Sequence, residues 1–180
     1  MRSTELSSYR TKPHVAPFVG PAWYVAAAWL ACALVVQSTV LHYLAFHGVV
    51  PSVVFAVVLW YAIRVDTWRA TLYGLVAGLG EDALSAQTGA SCMIATGASA
   101  MLASILSRGF FADSVPLVVT ITLVATLVRA LLYWGAVSLM GYPPGLGAMH
   151  LHEAALQSVL NAVVMVVAML IVRRTNRVRQ

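Results

Sequence analysis

Apolar residues fall into six runs separated by short gaps: Trp23 to about Tyr43, Val49 to Ile63, Thr67 to Leu84, Ser91 to Leu106, Val115 to Leu139 and His152 to Val172. A helix that crosses a bilayer needs about 20 predominantly apolar residues, within a range of roughly 17–25. The pattern predicts six transmembrane helices. The second run is short and the fourth marginal, and such spans are met by local thinning and by snorkelling at their ends. A re-entrant pair formed by the second and third runs is the alternative. It would bury the turn Arg64-Val65-Asp66-Thr67-Trp68-Arg69, and charged groups at bilayer depth are costly. The first run is too long for a signal-peptide core and no convincing cleavage site follows it, so it reads as an uncleaved span.

Composition makes the bilayer the fitting solvent. Of 180 residues, 61% are hydrophobic and 9% charged, against roughly 25% charged in a soluble domain. So short a chain could not hide that much apolar surface in one water-soluble core. Three parts follow: a polar tail over 1–22 with Pro13, Pro17 and Pro21, a transmembrane domain over 23–172, and a basic tail over 173–180. The gaps leave no room for a soluble domain.

The net charge of +5 could suggest nucleic acid, but its distribution argues against that partner. With the N-terminus inside and six crossings, the cytoplasmic segments hold Arg2, Arg10, Lys12, Arg64, Arg69, Arg108, Arg173, Arg174, Arg177 and Arg179. The external loops around His42 to Gly48, Ser85 to Ala90 and Met140 to Leu151 hold no Lys or Arg. Cytoplasmic loops are the ones enriched in these residues, so both ends are placed inside a plasma membrane. Trp23, Trp60, Tyr61, Trp68 and Tyr142 lie near run ends, where amphipathic rings favour the membrane interface.

Polar residues inside the runs are the candidate functional groups. Gly74, Gly78 and Asp82 recur every four residues and share one helix face, with Gly80 and Glu81 beside them. Small residues there admit a second helix closely. The face is a candidate docking surface for a partner, its carboxylates at the outer end; the plainer reading is an internal helix contact. Thr122, Thr126, Arg129 and Tyr133 share another face. Arg129 is the one basic residue well inside a run. It should find an acid or backbone carbonyls, with Glu81, Asp82 and Glu153 as candidates. Glu153, Gln157 and Asn161 form a third stripe, read as interhelical glue or as part of a polar pathway. Of Gln37, Ser38 and Thr39, only some can face inward together. Cys32 and Cys92 read as small buried hydrophobes.

The residues offer no reaction. His150, His152 and Glu153 lie close in sequence, but the histidines lack the four-residue spacing that puts two imidazoles on one helix side, so no metal is expected. No G-x-S-x-G, P-loop or dinucleotide fingerprint is present, and no cofactor is implied. Glu81 and Asp82 are adjacent, so their side chains diverge on a helix instead of sharing an acid-base site.

The stretch Leu34-Val35-Val36-Gln37-Ser38-Thr39-Val40-Leu41 followed by Gly48-Val49-Val50-Pro51 resembles the start of the rod-shape-determining MreD family. The stretch from Arg69 to Leu84, with Tyr73-Gly74 and Gly80-Glu81-Asp82 within it, resembles that family's third span. Thr88-Gly89 fits the turn that follows, and Leu160-Asn161-Ala162 ahead of an arginine-rich tail fits the last span. The resemblance covers about Leu34 to Arg177. It implies an all-α membrane fold similar to the substrate-binding S-components of energy-coupling-factor transporters, with no known reaction. It also implies a non-enzymatic role in cell-wall elongation and rod shape, beside an MreC-like single-span protein, an MreB-like filament, a RodA-type glycosyltransferase and a class B transpeptidase. The alternative is a small-molecule-binding subunit of a vitamin-type transporter, with Arg129, Glu81, Asp82 and Glu153 lining an external pocket.

Overall fold

A computed structural model describes residues 21–39, 48–85, 90–108, 114–141 and 147–178. These residues form six helices: α1 (Trp23–Thr39), α2 (Val53–Ala62), α3 (Thr67–Ser85), α4 (Ser91–Ser107), α5 (Val115–Leu139) and α6 (Gly147–Val178). The predicted helical class and the order of the six runs are what is observed. Two segments, Val115–Leu139 and Met149–Val172, are long and apolar enough to cross a membrane.

The second run departs from expectation. It reads as helical from Val49, yet α2 has only 10 residues and starts at Val53. Pro51 has no N–H to donate and pushes the residue before it out of the helical region. Ser52 is extended (φ −92°, ψ 98°), and its hydroxyl accepts the Phe55 N–H as an N-cap. The last run departs the other way. α6 begins five residues before the expected His152 and continues through Val178, so residues 173–178 prolong the helix. Arginine is a good helix former, and cations are favoured at a helix C-terminus.

The helices pack around α2. Val54, Phe55, Val58, Leu59 and Ala62 are buried on this short rod, which touches α1, α3, α4 and α6. The most extensive pairing is α3 on α4, followed by α5 on α6 and α4 on α5, while α1 lies at the side against α2 and α3. The buried residues of α4 are all small, from Ala95 and Gly97 to Ala100, Ala103 and Ser104, and this lets α3 come close. Apolar side chains also cover the outside: Leu72, Val76 and Leu79 on α3, and Val159, Val163 and Val167 on α6 are exposed.

One end of the bundle is basic. Arg64 caps the end of α2 by donating to the Trp60 carbonyl at 2.9 Å while lying over the Trp60 ring. Arg108 reaches Asp66 at 3.9 Å. Asp66, Arg69 and Arg108 are exposed, so the turn between α2 and α3 stands at the surface. Trp23 and Trp68 are exposed at the starts of their helices, but Tyr61 is buried. Its ring lies 4.3 Å from the Tyr73 ring, a core contact. Cys32 is exposed among the described residues, not buried as expected. Tyr142, His42 and His47 fall outside the described residues.

Candidate functional site

The centre of the polar interior is Arg129, the residue the sequence isolates. Its Nη2 meets a Glu81 carboxylate oxygen at 2.6 Å, with both side chains largely buried. Its Nε donates to the Thr96 hydroxyl at 3.0 Å, and Nη1 lies 3.4 Å from the Ser52 hydroxyl. Ser52 and Thr96 also reach the two Glu81 oxygens, each at 3.4 Å. The guanidinium lies 4.8 Å from the centre of the Phe55 ring. One ion pair thus joins α3 to α5, with α4 and the start of α2 closing around it. In a low-dielectric interior such a pair holds only if its remaining donors and acceptors are met. Among the described residues, no buried side-chain nitrogen or oxygen lacks a partner.

A second network holds the non-helical stretch before α2. The Ser52 N–H donates to Asn161 Oδ1 at 2.8 Å, and Asn161 Nδ2 donates to the Thr126 hydroxyl at 3.3 Å. Gln157 Nε2 donates to the Val50 carbonyl at 3.1 Å, and the Val54 N–H donates to Gln37 Oε1 at 3.2 Å. Three side chains, two from α6 and one from α1, therefore supply the partners a continuous helix would have supplied from its own backbone. The stripe expected to be interhelical glue binds backbone at two of its three positions. Glu153 stands apart, 3.6 Å from His150 near the start of α6 and half-exposed.

The stripe Gly74, Gly78 and Asp82 is occupied from within, which corrects the reading of it as a docking surface for an outside partner. A Cβ at Gly78 would overlap the Cys92 carbonyl oxygen and come within 2.5 Å of the Met93 Cα; one at Gly74 would come within 2.7 Å of the Ala100 Cβ. Asp82 is buried. Its two carboxylate oxygens accept the N–H groups of Cys92 and Met93 at 3.0 and 2.9 Å. These are orphan donors of the first turn of α4, whose own N-cap, Ala90, has no side chain to offer. The carboxylate also complements the positive end of the helix. Asp82→Ala is expected to lower stability by about 1–2 kcal/mol, as lost caps do. Hydrogen exchange should quicken in the first turn of α4, and Asp82→Asn should retain part of the effect.

Glu81, Arg129 and Asn161 thus belong to one connected interior, and Gln157 joins it through the backbone of residue 50. Sequence reasoning missed Ser52 and Thr96. Ser52 carried a usable signal, a serine directly before an apolar run, where N-caps stand. Thr96, one of five hydroxyl residues along α4, carried none. Among the described residues no group of three His, Cys, Asp or Glu side chains gathers to hold a metal ion. Beside the Arg129 pair lies a cavity of about 390 Å³, lined by Gln37, Arg129, Tyr133, His150, Glu153 and Gln157 among others.

The chain matches no protein-family model, and no curated protein and no solved structure is a detectable relative.

Proposed function

We propose that this chain is a multi-pass protein of the bacterial plasma membrane, with both ends cytoplasmic. In this reading it is a non-enzymatic scaffold of the cell-wall elongation machinery, as the resemblance to MreD proteins implies. The observation that carries this reading is how the polar groups are used. The interior network closes on itself, and what the folded chain presents outward is apolar helix surface and a basic end. In hydrocarbon, such surfaces recognise other membrane helices through close packing, and a basic end meets anionic lipid.

Six crossings are consistent with the helix lengths. α1, α3 and α4, at 17, 19 and 17 residues, reach about 25–29 Å at 1.5 Å per residue. The second crossing, though only 10 residues are helical, gains reach from its leading stretch. Extended chain rises about 3.3 Å per residue, so four such residues and the helix together approach 28 Å, near the roughly 30 Å of hydrocarbon. Non-helical backbone at that depth is tolerated where protein encloses it and meets its polar groups. Gln37, Gln157 and Asn161 do so here.

Partner contact then falls on the outer stripes of α3, α4 or α6, because α4 fills the glycine face. The test is co-expression of the tagged chain with an MreC-type protein and, as a control, an unrelated single-span protein. Selective recovery of the MreC-type protein, with rounding of a rod-shaped host on depletion, is the expected result. Equal recovery of both, or unchanged cell shape, would overturn the scaffold reading. The cavity beside Arg129 favours the second reading, a small-molecule-binding subunit of a vitamin-type transporter. That reading requires a water-soluble metabolite to copurify and stabilise the chain.

A further inference from the structure

We propose that the outer half of the bundle seats one zwitterionic phospholipid, its headgroup in the chamber beside Arg129 and Glu153 and one hydrocarbon chain between α5 and α6. The inference rests on the membrane placement proposed above and is independent of any protein partner. Two compartments meet there. The polar chamber of about 390 Å³ is of the size that takes a small ligand group. Beside it a crevice of about 150 Å³ is lined by Leu127, Leu131 and Leu151, each exposed on the outer surface. Ala130, Trp134, His150 and Ala154 line both spaces, so they share a wall. A soluble metabolite would fill the first and leave the second; a bare hydrocarbon would do the reverse. An amphiphile uses both.

The charges select the headgroup. The Arg129 guanidinium is already compensated by Glu81 at 2.6 Å, and Glu153 faces the His150 imidazole at 3.6 Å. The chamber therefore offers no uncompensated cation to a net anion, and its available acid is Glu153. A headgroup carrying a phosphate and an ammonium brings no net charge into the chamber and offers that acid a cation. It can turn the phosphate to Arg129 and the ammonium to Glu153.

The test uses the full chain in nanodiscs holding equal phosphatidylethanolamine and phosphatidylglycerol, released for native mass spectrometry under graded delipidation. One phosphatidylethanolamine should be retained about tenfold over phosphatidylglycerol, the ratio that about 1.4 kcal/mol of selectivity produces. Glu153→Gln should abolish that preference without moving the melting temperature. Ala130→Phe, which fills the shared wall, should abolish retention. If Ala130→Phe does not accumulate, Glu153→Gln decides. Equal retention of the two lipids, an unchanged preference in Glu153→Gln, or full displacement by soluble phosphoethanolamine would overturn the inference. Release of the chain from membranes by alkaline carbonate without detergent would instead overturn the membrane placement.

Discussion

Glu81→Ala is expected to destabilise the bundle by about 3–5 kcal/mol, the range for removing one partner of a buried ion pair. The cause is the charge left behind. The side chains of Arg129 and Glu81 are only 13% and 11% exposed, and a guanidinium does not shed its proton in proteins. After the replacement, Thr96 and Ser52 would offer it hydroxyl dipoles and no opposite charge. Removing both charges together, as Glu81→Leu with Arg129→Leu, is expected to recover about 2–4 kcal/mol of the loss, because well-packed apolar residues commonly replace a buried pair at little cost. Reversible unfolding in mixed micelles, with the single Glu81→Leu and Arg129→Leu variants completing a double-mutant cycle, measures this. If the double variant is no more stable than Glu81→Ala, the pair is not the clamp described here. The cycle also bears on function, because loss of partner recovery in the single variant, restored in the double, assigns the pair a structural task.

Gly78→Leu is expected to prevent α3 and α4 from pairing, so that little folded protein accumulates in membranes. Even the first added carbon meets the backbone of residues 92 and 93. Backbone, unlike the far end of a flexible side chain, cannot step aside without moving the helix. Gly78→Ala should therefore already cost about 1–3 kcal/mol, in the range for overpacked cores. Gly135→Ala is the internal control. Among the described residues nothing lies within 4 Å of a Cβ there, and alanine favours a helix by up to about 1 kcal/mol over glycine, so its melting temperature should hold or rise. A Gly78→Leu variant that accumulates and melts like the wild type would refute the α3–α4 contact.

The helices were legible because apolar runs and their breaks carry the information directly: α5 runs from Val115 to Leu139, as its run does. Arg129 was legible as a residue needing a partner, since a lone basic group among apolar residues has few stable fates. Which acid it takes was not legible. Glu81, Asp82 and Glu153 are all in plausible range by sequence, and the choice depends on how α3 is rotated. That rotation points Asp82 at the start of α4 and leaves Glu81 for the arginine. Two adjacent carboxylates diverge on a helix, as expected, but sequence alone could not say which goes where. Four-residue spacing likewise identified the Gly74, Gly78 and Asp82 face without revealing its occupant, because neighbouring and foreign helices ask for the same small residues. The broken start of α2 was missed because hydropathy does not distinguish extended from helical backbone, although Pro51 and Ser52 marked the break.

That break has a consequence for how the chain is made. The groups that satisfy the Val50 carbonyl and the Ser52 amide lie 107 and 109 residues further along, so a ribosome delivers them only with the last helix. In the membrane placement proposed above, the nascent second segment until then carries backbone that lipid cannot solvate, at a cost of several kcal/mol per orphaned group. A polypeptide released after α5 would therefore be defective near its beginning as well as at its end. The last helix acts as a late keystone, locking a segment synthesised long before.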